Sequence, residues 1–352
     1  SPGSLYASTC FLLDPFAAGA FWRETPVKAT DHTRLLCAQI SSSTFAHDIV
    51  RRLGISGDAM IGYSLGETAS LFASGCWPDR DEMLARIRDT DLFTRHLGSG
   101  FGAWRKHLGM TDNEPVDWRM AMVQAPAAAV RDALANAFAD EFVYLLIVNT
   151  PKECVIGGDG ATLNRLANEL GVVLHPINGV TTVHCEVMQP VAEEYRALHL
   201  QRTCPVEGVS HYSCHLGRRY EVTSESAADS ILGMAKEAFD FNALIENAYA
   251  DGVRLFVETG PGDACTRMID DILGGRPHLA CSVSHSRGDE VLHFLNALAR
   301  IAAHGVDIDT ANWTPHTAAR ATREIRRHEL TLAPGLAAWE VPSRPAVSVA
   351  AI

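Results

Sequence analysis

The sequence contains no Cys-x-x-Cys pair, although nine cysteines are scattered through its 352 residues. Structural zinc sites and redox-active pairs use cysteines at that short spacing, so neither is expected here. The odd number of cysteines also argues against a disulfide framework, because such frameworks pair their cysteines. We therefore predict reduced thiols, no metal ion and a cytoplasmic location.

Long apolar runs and an excess of basic charge are lacking as well. No stretch of eighteen uncharged apolar residues occurs, so we expect no membrane span. The start, Ser1-Pro2-Gly3-Ser4, lacks the features of a signal peptide, and the absence of an initial Met predicts a piece of a longer protein. With 42 acidic against 30 basic residues the formal net charge is −12. This charge argues against nucleic acid as a partner, because phosphate binding requires a basic surface.

One short segment has the pattern of a nucleophilic serine. Residues 57–62 are typical of a buried strand that ends in glycine, and residues 67–74 resume the apolar spacing of a helix. Between them stands Gly62-Tyr63-Ser64-Leu65-Gly66-Glu67. A serine on a sharp, glycine-flanked turn between strand and helix is the arrangement of a nucleophile elbow. Ser64 is therefore the predicted nucleophile, and the Leu65 N–H at the helix start is the predicted oxyanion donor.

A nucleophilic serine needs a base, and the chain offers fifteen histidines. His184 lies between a predicted small domain and a predicted helix, which favours it by position. His211, His215 and His285 are alternatives on spacing alone. The residues by themselves leave these four open.

The element pattern divides the chain into unequal parts. Residues 118–178 follow the order β-α-β-β-α-β, which is typical of a ferredoxin-like unit. We predict an α/β fold in which residues 1–114 and 181–310 form an α/β-hydrolase-like large subdomain with a parallel sheet, residues 115–180 form the inserted ferredoxin-like small subdomain, and residues 311–352 form a C-terminal linker. Helices are predicted over residues 32–53, 126–139, 161–170, 187–200, 227–250 and 290–304, and a buried strand over residues 253–258.

Further segments accompany the serine elbow in a fixed order. They are Asn149-Thr150-Pro151 with Val155-Ile156-Gly157-Gly158, then His184, then residues 256–262, Phe-Val-Glu-Thr-Gly-Pro-Gly. Together with residues 62–67 they resemble the motifs of the acyltransferases of fatty-acid and polyketide synthesis, the malonyl-CoA:acyl-carrier-protein transacylase family. The resemblance runs from about residue 30 to residue 310. The stretches 145–154 and 180–187 resemble most the acyltransferase domains of iterative type I synthases that make enediyne polyketides or polyunsaturated fatty acids.

The resemblance implies a ping-pong acyl transfer without a bound cofactor. In this family the residue at His184 deprotonates the serine at Ser64, which attacks malonyl-CoA, and a backbone carbonyl orients the histidine. The phosphopantetheine thiol of an acyl carrier protein then takes the malonyl group from the serine ester. The implied partners are that carrier protein and a neighbouring ketosynthase domain of a multidomain synthase.

The resemblance also implies how the acyl group is held. A malonyl carboxylate calls for an arginine, and the family places one on the helix that follows the elbow. Arg88 matches that position, with Arg86 as the alternative. Tyr63, Asn149 and Val183 are the expected pocket residues.

Three departures from the family pattern bear on function. The family's Gly-Gln-Gly motif, which supplies a second oxyanion donor, is not found. Tyr63 replaces the usual histidine beside the serine, and Thr181-Thr182-Val183-His184 matches neither the malonyl nor the methylmalonyl form of the family's specificity motif. Two alternatives therefore stay open: a hydrolase that removes wrong acyl groups, and a non-catalytic acyltransferase-like scaffold.

Overall fold

The computed structural model describes residues 32–177, 182–285, 289–309 and 348–351. The helices are α1 His32–Arg52, α2 Leu65–Ala73, α3 Arg80–Asp89, a π-helical segment Leu92–His96, α4 Gly102–Leu108, α5 Ala127–Ala137, α6 Gly160–Leu170, a 3-10 helix Glu186–Val191, α7 Ala192–His199, α8 Ser224–Lys236, α9 Phe241–Ala250, α10 Ala264–Leu273 and α11 Glu290–Ala303. The strands are β1 Ala59–Ile61, β2 Trp118–Val123, β3 Val143–Thr150, β4 Glu153–Asp159, β5 His175–Pro176, β6 Ser210–Ser213, β7 Arg218–Tyr220, β8 Phe239–Asp240, β9 Val253–Glu258, β10 Leu279–Ser282 and β11 Ser348–Ala351.

Within the described residues, the larger sheet has six strands in the order β10-β9-β11-β1-β6-β7. All neighbouring pairs are parallel except β6 and β7, which pair antiparallel. Strand β9 was predicted over the same residues that form it, because its apolar run is typical of a strand buried on both faces. The predicted α/β fold with a parallel sheet is therefore confirmed, with one antiparallel strand added at its edge.

The smaller sheet contains the predicted ferredoxin-like unit. Its order is β5-β2-β4-β3-β8, with β2, β4, β3 and β5 pairing antiparallel where they touch. Helix α6 packs on it through the buried residues Leu163 and Leu166, which lie three positions apart and so share one face of the helix. Gly171 ends that helix in the left-handed conformation at φ 64°. The last strand of the unit is short, His175–Pro176.

One hydrophobic cluster joins the two sheets. It contains Ile61 and Phe256 from the larger sheet, Met120 and Leu146 from the smaller one, and Phe241 from α9. The elements of both sheets are therefore packed on a common core. This core fixes where the carboxyl end of β1 lies relative to the smaller sheet.

The single helix predicted over residues 227–250 is wrong in its middle. The chain forms α8 and α9 with β8 between them, and β8 pairs parallel with β3. Phe239 is buried there, and the Asp240 carboxylate caps α9 by accepting from the Ala243 N–H. Tertiary pairing thus overrides a continuous helical pattern. The predicted helix at 187–200 likewise begins as the 3-10 helix, which contains Pro190.

The predicted C-terminal linker is wrong for its last described residues. Ser348–Ala351 form β11 inside the larger sheet, between β9 and β1. A four-residue strand that follows closely on Pro345 is too short to stand out from a linker in the sequence. Residues 310–347 lie outside the described residues. No helix in the part of the chain that the structure describes is long and apolar enough to cross a membrane.

Candidate active site

Ser64 lies on a strained turn between β1 and α2. Its backbone has φ 52° and ψ −117°, a left-handed conformation that serine rarely adopts and that is common at functional turns. Helix α2 begins at the next residue, Leu65. The strand, turn and helix predicted for a nucleophile elbow are therefore present.

The two glycines that flank the serine have different roles. A Cβ atom added to Gly62 would lie 2.0 Å from the Glu67 backbone nitrogen, so only glycine allows the first turn of α2 to pass this close. At Gly66 an added Cβ would meet nothing within 4 Å. The sequence pattern places a glycine on each side of the serine, but the geometry requires glycine only at position 62.

His184 contacts Ser64 directly. The His184 Nε2 atom lies 2.9 Å from the Ser64 Oγ atom, and the Nδ1 atom lies 2.7 Å from the carbonyl oxygen of Met234 on α8. A carbonyl oxygen only accepts, so Nδ1 carries the proton and Nε2 is free to accept from the serine hydroxyl. The His184 N–H also donates to the Ala235 carbonyl at 2.6 Å, which fixes the backbone beside the ring.

The protonation state of His184 follows from its burial. Burial lowers the pKa of His184 to about 4, and the hydrogen bond to the Met234 carbonyl opposes this shift. The imidazole is therefore neutral near pH 7 and can accept a proton. The backbone of His184 has φ 66°, so both members of the Ser64–His184 pair have a positive φ.

The three rival histidines contact other groups. The His211 Nε2 atom lies 3.0 Å from the Ser74 hydroxyl. The His215 ring lies 3.9 Å from a carboxylate oxygen of Glu237, and the His285 ring lies 3.5 Å from Asp263. Only His184 among the four is paired with Ser64.

The start of α2 presents the predicted oxyanion donor. The Gly66 N–H donates to the Tyr63 carbonyl and the Glu67 N–H donates to the Ser64 carbonyl. Within the described residues no acceptor is bonded to the Leu65 N–H, which lies at the N-terminal end of the helix beside the serine. That end also carries the positive part of the helix dipole.

A buried carboxyl group, Glu67, connects this elbow with the helix that orients His184. The Ser230 hydroxyl of α8 donates to one Glu67 oxygen, and the Cys214 N–H donates to the other at 2.9 Å. Burial raises the pKa of Glu67 to about 7, against the lowering effect of these hydrogen bonds. Ser230 stands one turn before Met234, so Glu67 ties α2 to the carbonyl that holds His184. No role is predicted for Glu67, whose only signal in the sequence is its place at the end of the elbow hexapeptide.

Tyr63, next to the serine in sequence, is fixed by a hydrogen bond to Asn149 and by contacts with two phenylalanine rings. Its hydroxyl donates to the Asn149 side-chain oxygen at 2.8 Å, and the Asn149 amide donates to Glu153 at 2.8 Å. The Tyr63 ring meets Phe239 and Phe241 edge to face, with centroids 5.4 and 5.2 Å away. Tyr63 lines the cavity beside Ser64, whereas Asn149 supports Tyr63 and does not line that cavity.

A cavity of about 480 Å³ opens beside the catalytic pair. It is lined by Ser64 and His184, by parts of α1, α2, α3 and α7, and by residues of the smaller sheet. The predicted pocket residue Val183 is in the lining, whereas Thr181 lies outside the described residues. Most of the lining is apolar, with Met83, Ile87, Phe93 and Leu97 on one side.

The structure does not bring the predicted arginines into this cavity. Arg88 is exposed on α3 and is not part of the lining. Arg86 donates to the carbonyls of Ala197 and Leu200 and pairs with Glu82 at 3.0 Å. The helix turns about 100° per residue, so Met83 and Ile87, four residues apart, share the face toward the cavity, whereas Arg86 and Arg88 lie on other faces of the helix. The predicted placement of Arg88 against the acyl group is thus not what the structure has.

No protein-family profile matches the chain. Among curated proteins it is similar to a polyunsaturated fatty acid synthase component of Thraustochytrium sp., with 24% identity over 292 residues, 77% of this chain and 14% of that protein. It is also similar to the conidial yellow pigment polyketide synthase of Emericella nidulans, with 26% identity over 290 residues, 79% of this chain and 12% of that protein. The chain thus spans only 14% or less of these two relatives.

Solved structures give the same likeness in three dimensions. The acyltransferase domain from the second module of the salinomycin polyketide synthase matches with a TM-score of 0.68 and 22% identity, covering 91% of this chain and 71% of that one. The acyl carrier protein S-malonyltransferase of Vibrio cholerae matches with a TM-score of 0.60 and 19% identity, covering 84% and 89%. The acyltransferase domain of the iterative polyketide synthase of an enediyne pathway matches with a TM-score of 0.59 and 21% identity. The match covers 81% of this chain and 69% of that one. The predicted resemblance to the acyltransferase family is confirmed, and the chain has the acyltransferase fold.

Proposed function

We propose that this chain transfers acyl groups through an ester on Ser64. The observation that carries the proposal is the chain of contacts from Ser64 Oγ to His184 Nε2 at 2.9 Å and from His184 Nδ1 to the Met234 carbonyl at 2.7 Å. A serine on a strained elbow, paired with a neutral histidine of fixed tautomer, is what nucleophilic acyl transfer requires. The acyltransferase fold supports this reading over other serine chemistries.

The first half-reaction moves the acyl group from a thioester to the serine. His184 Nε2 takes the hydroxyl proton while Ser64 Oγ bonds to the acyl carbonyl carbon. The carbonyl oxygen becomes an oxyanion that the Leu65 N–H stabilises at the start of α2. The intermediate then breaks its carbon–sulfur bond, and the leaving thiolate takes the proton from His184 as coenzyme A departs.

The second half-reaction runs the same steps with a new thiol. The acceptor thiol gives its proton to His184 and attacks the serine ester, and the Ser64 alkoxide leaves and regains the proton. The acceptor we propose is the phosphopantetheine thiol of an acyl carrier protein. The names of the similar proteins, a malonyltransferase acting on acyl carrier protein and domains of polyketide synthases, support this choice.

The partners proposed are a carrier protein and a ketosynthase domain of the same synthase. The net charge of −12 cannot attract an acidic carrier in bulk. A covalent tether within one long synthase would raise the effective concentration of the carrier and make weak docking sufficient. The much greater length of the curated relatives supports such a tether.

The malonyl donor expected from the sequence has less support. Relatives that carry malonyl in their names favour it, but the cation that a malonyl carboxylate calls for is not among the described residues that line the cavity. The proposed activity is therefore acyl transfer.

The test is covalent labelling followed by intact-mass analysis. The protein is incubated with a panel of acyl-CoA thioesters, and an adduct of one acyl mass is expected on Ser64. Ser64→Ala should carry no adduct. A folded wild-type protein that no member of the panel labels would overturn the proposal and favour the scaffold alternative.

The hydrolase alternative uses the same residues with water in place of the acceptor thiol. Adding pantetheine or a carrier protein to the labelled enzyme separates the two. Transfer to the thiol faster than release of free acid supports a transferase. Free acid as the main product with both acceptors would support the editing hydrolase instead.

A further inference from the structure

The cavity beside Ser64 holds no positive charge among the described residues. Among the residues that the structure describes, its lining contains no arginine or lysine. Its histidines are His184 and His199, and burial lowers the pKa of each to about 4, so both are neutral near pH 7. His199 is further held by its Nδ1 atom, which lies 2.7 Å from the Tyr195 carbonyl.

The one carboxyl group among the described lining residues, that of Glu258, makes the cavity still less suited to an anionic ligand. Glu258 is buried and accepts hydrogen bonds from the Cys265 N–H at 3.1 Å and from the N–H and hydroxyl of Thr266 at 2.7 Å each. Its hydrogen bonds are those of a carboxylate, so it offers an anion no attraction. A second carboxylate bound here would be buried without a counter-ion, which is strongly unfavourable.

The wall that faces the catalytic pair is part of a hydrophobic core. Met83 and Ile87 of α3 are buried and pack with Leu97, while Phe93 and Val183 are partly buried against the same cluster. All five line the cavity. Burial of an apolar chain against this wall is therefore favourable, whereas a charged group would find no partner among these side chains.

The cavity is also larger than a three-carbon unit needs. Its volume of about 480 Å³ falls within the range of sites that enclose drug-sized ligands. Space remains for an aliphatic chain besides the end of the thioester arm. The volume of the cavity and its apolar lining therefore both favour an aliphatic acyl chain.

We propose that the acyl group carried by Ser64 is an uncharged aliphatic acyl chain, not a dicarboxylic unit such as malonyl. The inference rests on the proposed acyl transfer and names its substrate class. The juxtaposition that carries it is the catalytic pair opening onto a wall of Met83, Ile87 and Phe93, with Arg86 and Arg88 outside the lining.

The deciding experiment compares two thioesters of matched shape. Isovaleryl-CoA carries two methyl groups where malonyl-CoA carries two carboxylate oxygens, so the pair differs in charge and hardly in size. We expect isovaleryl-CoA to label Ser64 at least about tenfold faster than malonyl-CoA, because the cavity gives the carboxylate no partner. Equal or faster labelling by malonyl-CoA would overturn the inference while leaving acyl transfer supported. Labelling by neither, nor by longer straight-chain thioesters, would overturn the proposed function itself.

A substitution in the apolar wall tests the cause of the preference. Phe93→Arg places a cation at a partly exposed position of the lining and should shift the ratio of the two rates toward malonyl-CoA by at least about tenfold. Phe93→Gln is the matched neutral control and should slow both substrates without that shift. A folded Phe93→Arg variant with an unchanged ratio would contradict the charge argument.

Arg88→Ala separates this inference from the sequence prediction. If Arg88 binds the acyl carboxylate, the variant loses malonyl labelling much more than isovaleryl labelling, and the inference fails. We expect the ratio to stay within about twofold of wild type, since an exposed charge outside the cavity is screened by solvent. Circular dichroism of each variant verifies that it is folded.

Discussion

The two walls of the cavity differ in the kind of contact that holds their side chains: hydrogen bonds on the polar wall and apolar contacts on the other. On the polar wall Ser64 bonds His184 and His184 bonds the Met234 carbonyl, while Glu67, which is outside the lining, bonds Ser230. On the apolar wall, Met83 and Leu97 share non-directional contacts with their neighbours. Hydrogen-bonded networks depend on the identity of each member, whereas apolar contacts depend mainly on volume. The polar wall should therefore tolerate almost no substitution, and the apolar wall should tolerate substitutions that keep its volume and its lack of charge.

The largest effect is expected at the base. His184→Gln keeps a polar side chain of similar size but cannot take the serine proton, so acyl transfer should fall by about 10²–10⁴-fold. The measurement is the initial rate of adduct formation by mass spectrometry. His215→Gln, at a partly exposed histidine without contact to Ser64, is the matched control and should stay within about threefold of wild type. Similar losses in both variants would refute the assignment of His184.

The next effect separates the two glycines of the elbow. Gly62→Ala brings a Cβ atom into the Glu67 backbone, so we expect the free energy of unfolding to drop by about 3 kcal/mol or more. Gly66→Ala has open space at the start of α2 and should be neutral or stabilising by about 0.5–1 kcal/mol. Urea unfolding measures both changes. Equal destabilisation would mean that the turn is not packed as described.

Glu67→Gln tests the network through its dependence on pH. The pKa of Glu67 in the folded state, about 7, lies above its ordinary value of 4.5. The folded state therefore binds more protons between these two values, so this group stabilises the protein fully below about pH 4.5 and progressively less as pH rises through 7. The stability of wild type relative to Glu67→Gln should fall over this range, by an amount on the order of 3 kcal/mol. A difference in stability that does not change with pH would mean that Glu67 does not titrate in this range.

The smallest effect is expected on the apolar wall. Leu97→Met conserves the volume of the side chain and adds no charge, so the free energy of unfolding should change by less than about 1.5 kcal/mol. The ratio of isovaleryl to malonyl labelling should stay the same, because the wall remains uncharged. A loss of labelling as large as that of His184→Gln would show that the apolar wall tolerates substitution no better than the polar wall.

Much of the fold could be predicted because it is local. The β-α-β-β-α-β order of the smaller sheet follows one continuous stretch, and its helices have clear apolar faces. The residues around Ser64 predicted a strand, a turn and a helix for the same reason. Strand β8 was missed because its two residues, Phe239 and Asp240, are extended only where they pair with β3.

The site could be predicted less fully. The resemblance identified His184, and the structure then paired it with Ser64 across 120 positions of sequence. The orienting carbonyl belongs to Met234, and no sequence signal distinguishes one backbone carbonyl from another. Arg88 was assigned by its position on a helix, and one step around that helix decides whether a side chain faces the cavity or the solvent. Glu67 is a buried carboxyl group, and its burial is explained only by the hydrogen bonds that it accepts from Ser230 and Cys214.

The sequence by itself determined the elbow, because a strand ending in glycine, a serine and a helix are neighbours along the chain and their conformations depend on local sterics. It also determined the ferredoxin-like unit, whose periodicities are local. Only the tertiary structure decided which histidine meets Ser64, where β11 enters the sheet, and that the cavity beside the serine is apolar. These depend on contacts between residues far apart in sequence, and such contacts are set by the packing of the whole core.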